Sequence, residues 1–219
     1  MISKKDFQIE LIGQEFILTP EKAMFWINQR TLILSDLHLG KTGHFQKSGI
    51  PVPSGVNNEN LNRIDSLIER FKPNQVLFLG DLFHSDKNIE WELFKNWRTN
   101  YSSLEMILAM GNHDFYSPEE YEALGLICTS IIDSVPFTFC HDYTLIDSSN
   151  KNYTISGHIH PSVILKGKAR QKLRIPCFYF GEQFGLLPAF GGFTGTHPIT
   201  PKSGEQVYGI VNQEIVRMI

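Results

Sequence analysis

The chain has little of what staples, anchors or unstructures a protein. Three cysteines occur in 219 residues, Cys128, Cys140 and Cys177, and none forms a CxxC pair. An odd set without pairing excludes a disulfide framework and a thiolate zinc site; these thiols read as small buried apolar groups in a reducing compartment. No apolar run approaches the roughly 18 residues of a membrane-spanning helix. The two lysines near the amino terminus are not followed by an apolar stretch of the kind a secretory leader carries. The expectation is a soluble, cytoplasmic protein with no membrane contact. Charged residues make up only 20% of the chain and the net charge is −3, which argues against a protein that coats nucleic acid through general basicity. No stretch is polar throughout, so extended disorder is not expected either.

What is present is core-forming material. A hydrophobic content of 42% over this length supports one sizeable core and too little for two, so residues 1–219 read as a single domain. Short strands are expected at 7–12, 15–19, 23–27 and 31–35, separated by turn residues at 13–14 and 28–30. The run at 31–35 lacks polar alternation, the mark of a strand buried on both faces. A helix is expected over 58–72, where Leu61, Ile64, Ile68 and Phe71 share one face and Pro73 stops it. A buried strand at 75–79, a helix near 89–99 and a strand at 105–109 follow. Ser117 and Glu120 flank Pro118 as a capping box that starts a short helix. Beyond residue 126 the pattern is mostly β, with strands at 131–133, 137–140, 153–156, 163–165, 172–175, 178–180 and 207–211. Helices alternating with strands, then strands alone, give an α/β fold: two mixed β-sheets packed as a sandwich and flanked by helices.

Metal-type ligands follow several of the buried strands. Open α/β folds place their sites at such strand ends. Asp36 and His38 are two apart; on extended chain both point the same way and reach one ion. Asp81 follows the strand at 75–79 beside Gly80, which leaves room for a carboxylate to offer one oxygen to each of two cations, although an Asp there also reads as a turn residue. In the segment Gly111-Asn112-His113-Asp114, the Asn112 carbonyl is a neutral cation ligand and His113 is free to act as an acid. His158 and His160 are again two apart, placed to serve two neighbouring ions. His141 follows the strand at 137–140 and by itself reads as structural. Mixed nitrogen and oxygen ligation without sulfur suits manganese, iron, zinc, cobalt or nickel better than calcium.

The order DxH, GD, GNHD, lone His, GHxH resembles the calcineurin-like metallophosphoesterase superfamily, whose fold is a two-sheet sandwich flanked by helices. The resemblance implies two divalent ions, manganese foremost. Asp36, His38, Asp81 and His160 match the ligands of the first. Asp81, Asn112, His141 and His158 match those of the second, with Asp81 shared and catalytically central. It also implies that His113 contacts the substrate phosphate or leaving group. Further segments, including residues 36–41, 44–45, 49–53, 80–85, 157–161, 174–178 and 187–195, are similar to the DNA ligase-associated metallophosphoesterases. That likeness runs from about residue 15 to the end. The branch implies a phosphodiesterase or endonuclease working on DNA during repair, alongside a ligase and a helicase. A phosphatase or phosphodiesterase for small nucleotides is the alternative. A non-catalytic protein-binding scaffold fits less well, because no ligand position is lost.

Secondary candidates for substrate contact are Lys41, His44 and Lys47 in the loop after the first ligands, and His84 beside Asp81. Lys166, Lys168, Arg170, Lys172 and Arg174 stand at every second position; on one strand they form a basic face near the metals, suited to phosphate backbone. The bland alternative is a solvated edge strand protected by charge. Phe115 reads as core by default. Phe190 and Phe193, in a glycine-rich loop, are candidates for stacking on bases.

Overall fold

The computed structural model describes residues 3–40, 56–84, 89–167, 171–192 and 194–219. Lys41, His44, Lys47, Lys168, Arg170 and Phe193 lie outside the described residues.

Two mixed sheets of seven and nine strands are packed face to face. The first runs in chain order: β1 (Phe7–Leu11), β2 (Gln14–Leu18), β3 (Met24–Trp26), β4 (Thr31–Ser35), β5 (Gln75–Leu79), β6 (Glu105–Ala109) and β7 (Ile127–Thr129). Strands β1 to β4 pair antiparallel through tight turns, whereas β4 to β7 are parallel. Parallel neighbours need crossovers, supplied in two places by the helices α1 (Val56–Phe71) and α2 (Ile89–Thr99) and in the third by the short α3 (Pro118–Glu122). The second sheet contains β8 (Ile131–Ser134), β9 (Phe137–Cys140), β10 (Tyr153–Ser156), β11 (Pro161–Lys166), β12 (Lys172–Phe180), β13 (Phe184–Leu186), β14 (His197–Pro198), β15 (Gln206–Val211) and β16 (Glu214–Arg217).

Strand alternation divides the core. Ile33, Leu77, Leu79 and Ala109 face the second sheet and meet Phe137, Phe139, Tyr153, Ile155, Phe178 and Phe180. Leu32, Leu34, Val76, Phe78, Met106 and Leu108 face the other way, onto Leu61, Ile64 and Leu67 of α1 and Phe94 and Trp97 of α2. Residues buried on both faces explain why these strands carry no polar alternation. Among the described residues the helices cover only the first sheet. The outer face of the second, with Val163, Ile175, Cys177 and Tyr179, is covered by loop residues such as Tyr143 and Ile199.

Several sequence expectations are revised. The strands expected at 172–175 and 178–180 are one strand, β12, which changes partners at its middle. It pairs with β11 as far as Pro176 and with β15 from Cys177 onward, so the proline without an N–H sits at the exchange. The basic run is not one strand either. It is the hairpin β11–β12, with Lys166 opposite Lys172 and the Gly167 N–H donating to the Gln171 carbonyl at 2.9 Å. The expected helix at 58–72 spans 56–71, and the capping box forms, with the Ser117 N–H donating to Glu120 Oε2 at 3.0 Å.

Candidate metal centre

Parallel strands align their carboxyl ends, and here two sets of such ends meet. Asp36 leaves β4, Asp81 leaves β5 one residue past Gly80, and Asn112 and His113 follow β6. From the second sheet, His141 leaves β9, and His158 and His160 follow β10, which is parallel to β9. The sheets are tied together at this edge. The His141 Nδ1–H faces the Leu79 carbonyl at 3.0 Å, and the Gly157 N–H donates to the His141 carbonyl at 3.1 Å.

All seven candidate ligands converge. His160 Nε2 is 3.1 Å from Asp36 Oδ1, and one donor atom each from Asp36, His38 and His160 lie within 4.8 Å of one another. A second group of the same kind comprises Asp36, Asp81 and His141. His141 Nε2 lies 3.0 Å from Asn112 Oδ1 and 3.0 Å from His158 Nδ1. Asp81 reaches both groups, with Oδ2 3.6 Å from His38 Nε2 and Oδ1 3.4 Å from His141 Nε2.

Outer contacts set the tautomers. With Nδ1–H of His141 given to Leu79 and Nδ1–H of His160 given to the Gly195 carbonyl at 3.0 Å, each ring turns an Nε2 lone pair inward. His158 is oriented the other way: Nδ1 faces in, while Nε2 lies 3.9 Å from Asp142 Oδ2. Three glycines make this packing feasible. A Cβ on Gly80 would strike the His141 ring, one on Gly111 would strike Asp81, and one on Gly157 would strike Asp36.

The local backbone differs from the extended chain expected. Asp36, His38, Asp81, His158 and His160 all have positive φ, between 47° and 64°. Each left-handed non-glycine residue costs about 1–3 kcal/mol, so surrounding contacts must hold it there. Those contacts are visible: the His158 N–H donates to Asp36 Oδ2 at 3.1 Å, and the His38 N–H to the Asp81 carbonyl at 2.9 Å. Asp36 and His38 still share one side, because Leu37 between them is buried in the core under α1.

Electrostatics favour a cation. Burial pushes the Asp36 carboxyl up, but His160, His141 and His38 around it overcome this and hold it below the usual carboxylate range. Burial prevails at Asp81, whose carboxyl is raised despite His141 and the 2.9 Å hydrogen bond from the His113 N–H. A buried negative charge that the protein does not fully balance is what a cation corrects. Carboxylate oxygen, amide oxygen and imidazole nitrogen together form a donor set for a divalent transition ion.

Sequence reading assigned no role to two acidic neighbours. Asp114 turns into the protein, where Oδ2 accepts from the Asp81 and Gly111 N–H groups at 2.9 and 2.8 Å. Oδ1 accepts from the Leu82 N–H at 2.9 Å and the Tyr121 hydroxyl at 3.2 Å. It clasps the two loops that carry Asp81 and Asn112, and burial raises its pKa to about 6. Asp142 backs His158 in the same spirit. Both follow directly on histidines already singled out, yet nothing local signals which way either side chain folds.

Among the substrate candidates, His84 is beside the site, its ring 5.2 Å from that of His38 and 5.4 Å from that of His113. Lys172 is not. It pairs with the last residue of β11, whereas His160 precedes the first, a separation of about 17 Å along the strand. Arg174 is nearer, its guanidinium donating to the Thr196 carbonyl at 3.1 Å, one residue from the carbonyl that holds His160. Phe190 offers no stacking face. It is fully buried beneath Arg63, whose guanidinium carbon is 4.0 Å from the ring centroid.

A profile of the calcineurin-like phosphoesterase family matches residues 29–178, the span that carries all seven residues. The chain is a calcineurin-like phosphoesterase. Members of this family depend on divalent metal, in keeping with the Asp and His groups described above. Among solved structures, this phosphoesterase is similar to the Pseudomonas putida nuclease MPE. The likeness has 28% identity and a TM-score of 0.80 over 97% of this chain and 100% of the other. A phosphoesterase from E. coli, Yfce, is 13% identical over 85% of this chain and 96% of that one, with a TM-score of 0.45. No curated protein sequence gives a significant match. Among the described residues, no helix is long and apolar enough to cross a membrane.

Proposed function

We propose that this phosphoesterase is a two-metal phosphodiesterase that cleaves DNA, in a repair setting that includes a ligase and a helicase. Asp36, His38, Asp81 and His160 hold one cation, and Asp81, Asn112, His141 and His158 hold the other, with manganese the working metal. The observation that carries the reading is the Asp81 carboxylate, which turns one oxygen toward each histidine group. The 28% identity to the P. putida nuclease over nearly the whole chain supports the choice of DNA.

A pair of divalent ions supplies an activated water and balances charge on phosphoryl oxygens. The chain's own groups do the rest. Asp114 and the three glycines fix the loops so that the ligands meet without rearrangement. His113 stands at the rim, its ring 5.7 Å from that of His38 and its side chain only half-buried. From there it donates a proton to the departing oxygen. His84, against both rings, steadies the phosphate on the same side.

The test is incubation of purified protein with Mn²⁺ and end-labelled single- and double-stranded DNA, with Asp81→Ala as control. Cleavage that disappears in the variant is the expected result, and the product ends name the reaction. An intact aryl phosphodiesterase activity without turnover of DNA would replace DNA by a small nucleotide, the reading that the net charge of −3 favours. A protein that binds no metal and is inert on both would return it to a scaffold.

A further inference from the structure

Phe115 is two residues beyond His113 and has its side chain in solvent, with 65% of its surface exposed. Its place in the loop has a cause. Asp114 is turned inward by three backbone N–H groups, which leaves the residues on either side of it facing out. The next aromatic, Tyr116, takes the core position instead, packed on Trp91 at 4.7 Å between ring centroids. Phe115 is therefore not needed for the fold. Its ring stands edge-on to that of His113, with centroids 5.7 Å apart and planes at 86°. A flat, water-exposed aromatic face thus adjoins the residue that protonates the leaving group.

We infer that Phe115 is a substrate-binding residue on which the nucleobase of the leaving nucleoside stacks, beside the scissile phosphate. The inference rests on the phosphodiesterase reading, and on His113 marking the leaving-group side. Stacking on an aromatic ring tolerates any base, because every base has a π-face, so this contact selects nucleic acid over simple phosphoesters without selecting sequence. The perpendicular contact with His113 keeps the Phe115 face open while its edge meets the imidazole.

The experiment places the two kinds of linkage in one strand. A labelled single-stranded oligonucleotide carries a run of thymidines and an equal run of abasic tetrahydrofuran residues, and cut positions are read in Mn²⁺ with the full-length protein. Wild type should favour the thymidine run by roughly tenfold to a hundredfold, the range of base–aromatic stacking. Phe115→Ala should bring the two runs to within about twofold, and Phe115→Trp should restore the preference. If Phe115→Ala slows both runs equally and leaves their ratio unchanged, the ring only holds His113 and the inference fails. A wild type without preference also overturns it. A wild type that cuts neither run instead defeats the DNA reading beneath it, an outcome distinct from the other two because it appears before any substitution.

Discussion

Replacing Asp114 by alanine tests the claim that one buried carboxylate ties the metal-bearing loops together. The substitution strips acceptors from the N–H groups of Asp81, Leu82 and Gly111 and from the buried Tyr121 hydroxyl. A buried donor left unsatisfied costs about 1–3 kcal/mol, so four give roughly 8 kcal/mol at the midpoint. Against this, burial has moved the carboxyl from 3.8 to about 6, and removing that charge returns about 3 kcal/mol at neutral pH. The net expectation is a loss of about 3–5 kcal/mol. Asparagine separates the terms. Its carbonyl can keep the Asp81 and Gly111 N–H groups, and its amide can donate to a turned Tyr121 hydroxyl, which leaves only the Leu82 N–H unpaired. Asp114→Asn also sheds the charge and should stay within about 2 kcal/mol of wild type. Urea unfolding of chelator-treated protein measures both as shifts in midpoint at constant slope. An alanine variant within about 1 kcal/mol of wild type, or an asparagine variant as unstable as alanine, refutes the clasp.

Three further outcomes follow from the same geometry. Gly157→Ala places a Cβ 2.5 Å from Asp36 Oδ2 and 3.0 Å from the Leu79 carbonyl. It should keep the fold by circular dichroism yet lose at least one metal by elemental analysis, because the backbone oxygen cannot yield and Asp36 must. His113→Ala should retain both metals and lose hydrolysis most severely on phosphodiesters with poor leaving groups. Equal loss on good and poor ones would remove the acid role. Adding Mn²⁺ at about 1,000 times its dissociation constant should raise stability by about 4 kcal/mol over chelated protein. Urea midpoints with and without chelator read this, and equal midpoints would mean that the cluster does not bind the ion.

Much of the fold was legible because burial imposes a pattern. Strands β4, β5 and β6 are apolar throughout since both faces are covered, and each runs straight into its candidate ligands. What was not legible depends on distant partners. The strand pairs of β7, β14 and β16 are two to four residues long, and remote neighbours rather than local preference make them strands. The basic stripe keeps its period of two across a hairpin, so alternation alone cannot tell one strand from two; Gly167 was the available signal for the turn. Phe115 was read as core because aromatics usually are, and a neighbour, Tyr116, fills that place instead. The left-handed backbone of the ligand residues has no local signature, since aspartate and histidine reach it here only through hydrogen bonds from the opposite loop.

That backbone has a consequence for anyone who sets out to improve the protein. At positions 36, 38, 81, 158 and 160, glycine would relieve the conformational cost that L residues carry in the left-handed region. A selection for thermal tolerance that never assays turnover would drift toward glycine at all five and report success at each. The sturdier scaffold so obtained would have no ligands, so an engineering campaign on this chain has to hold those five positions fixed from the first round.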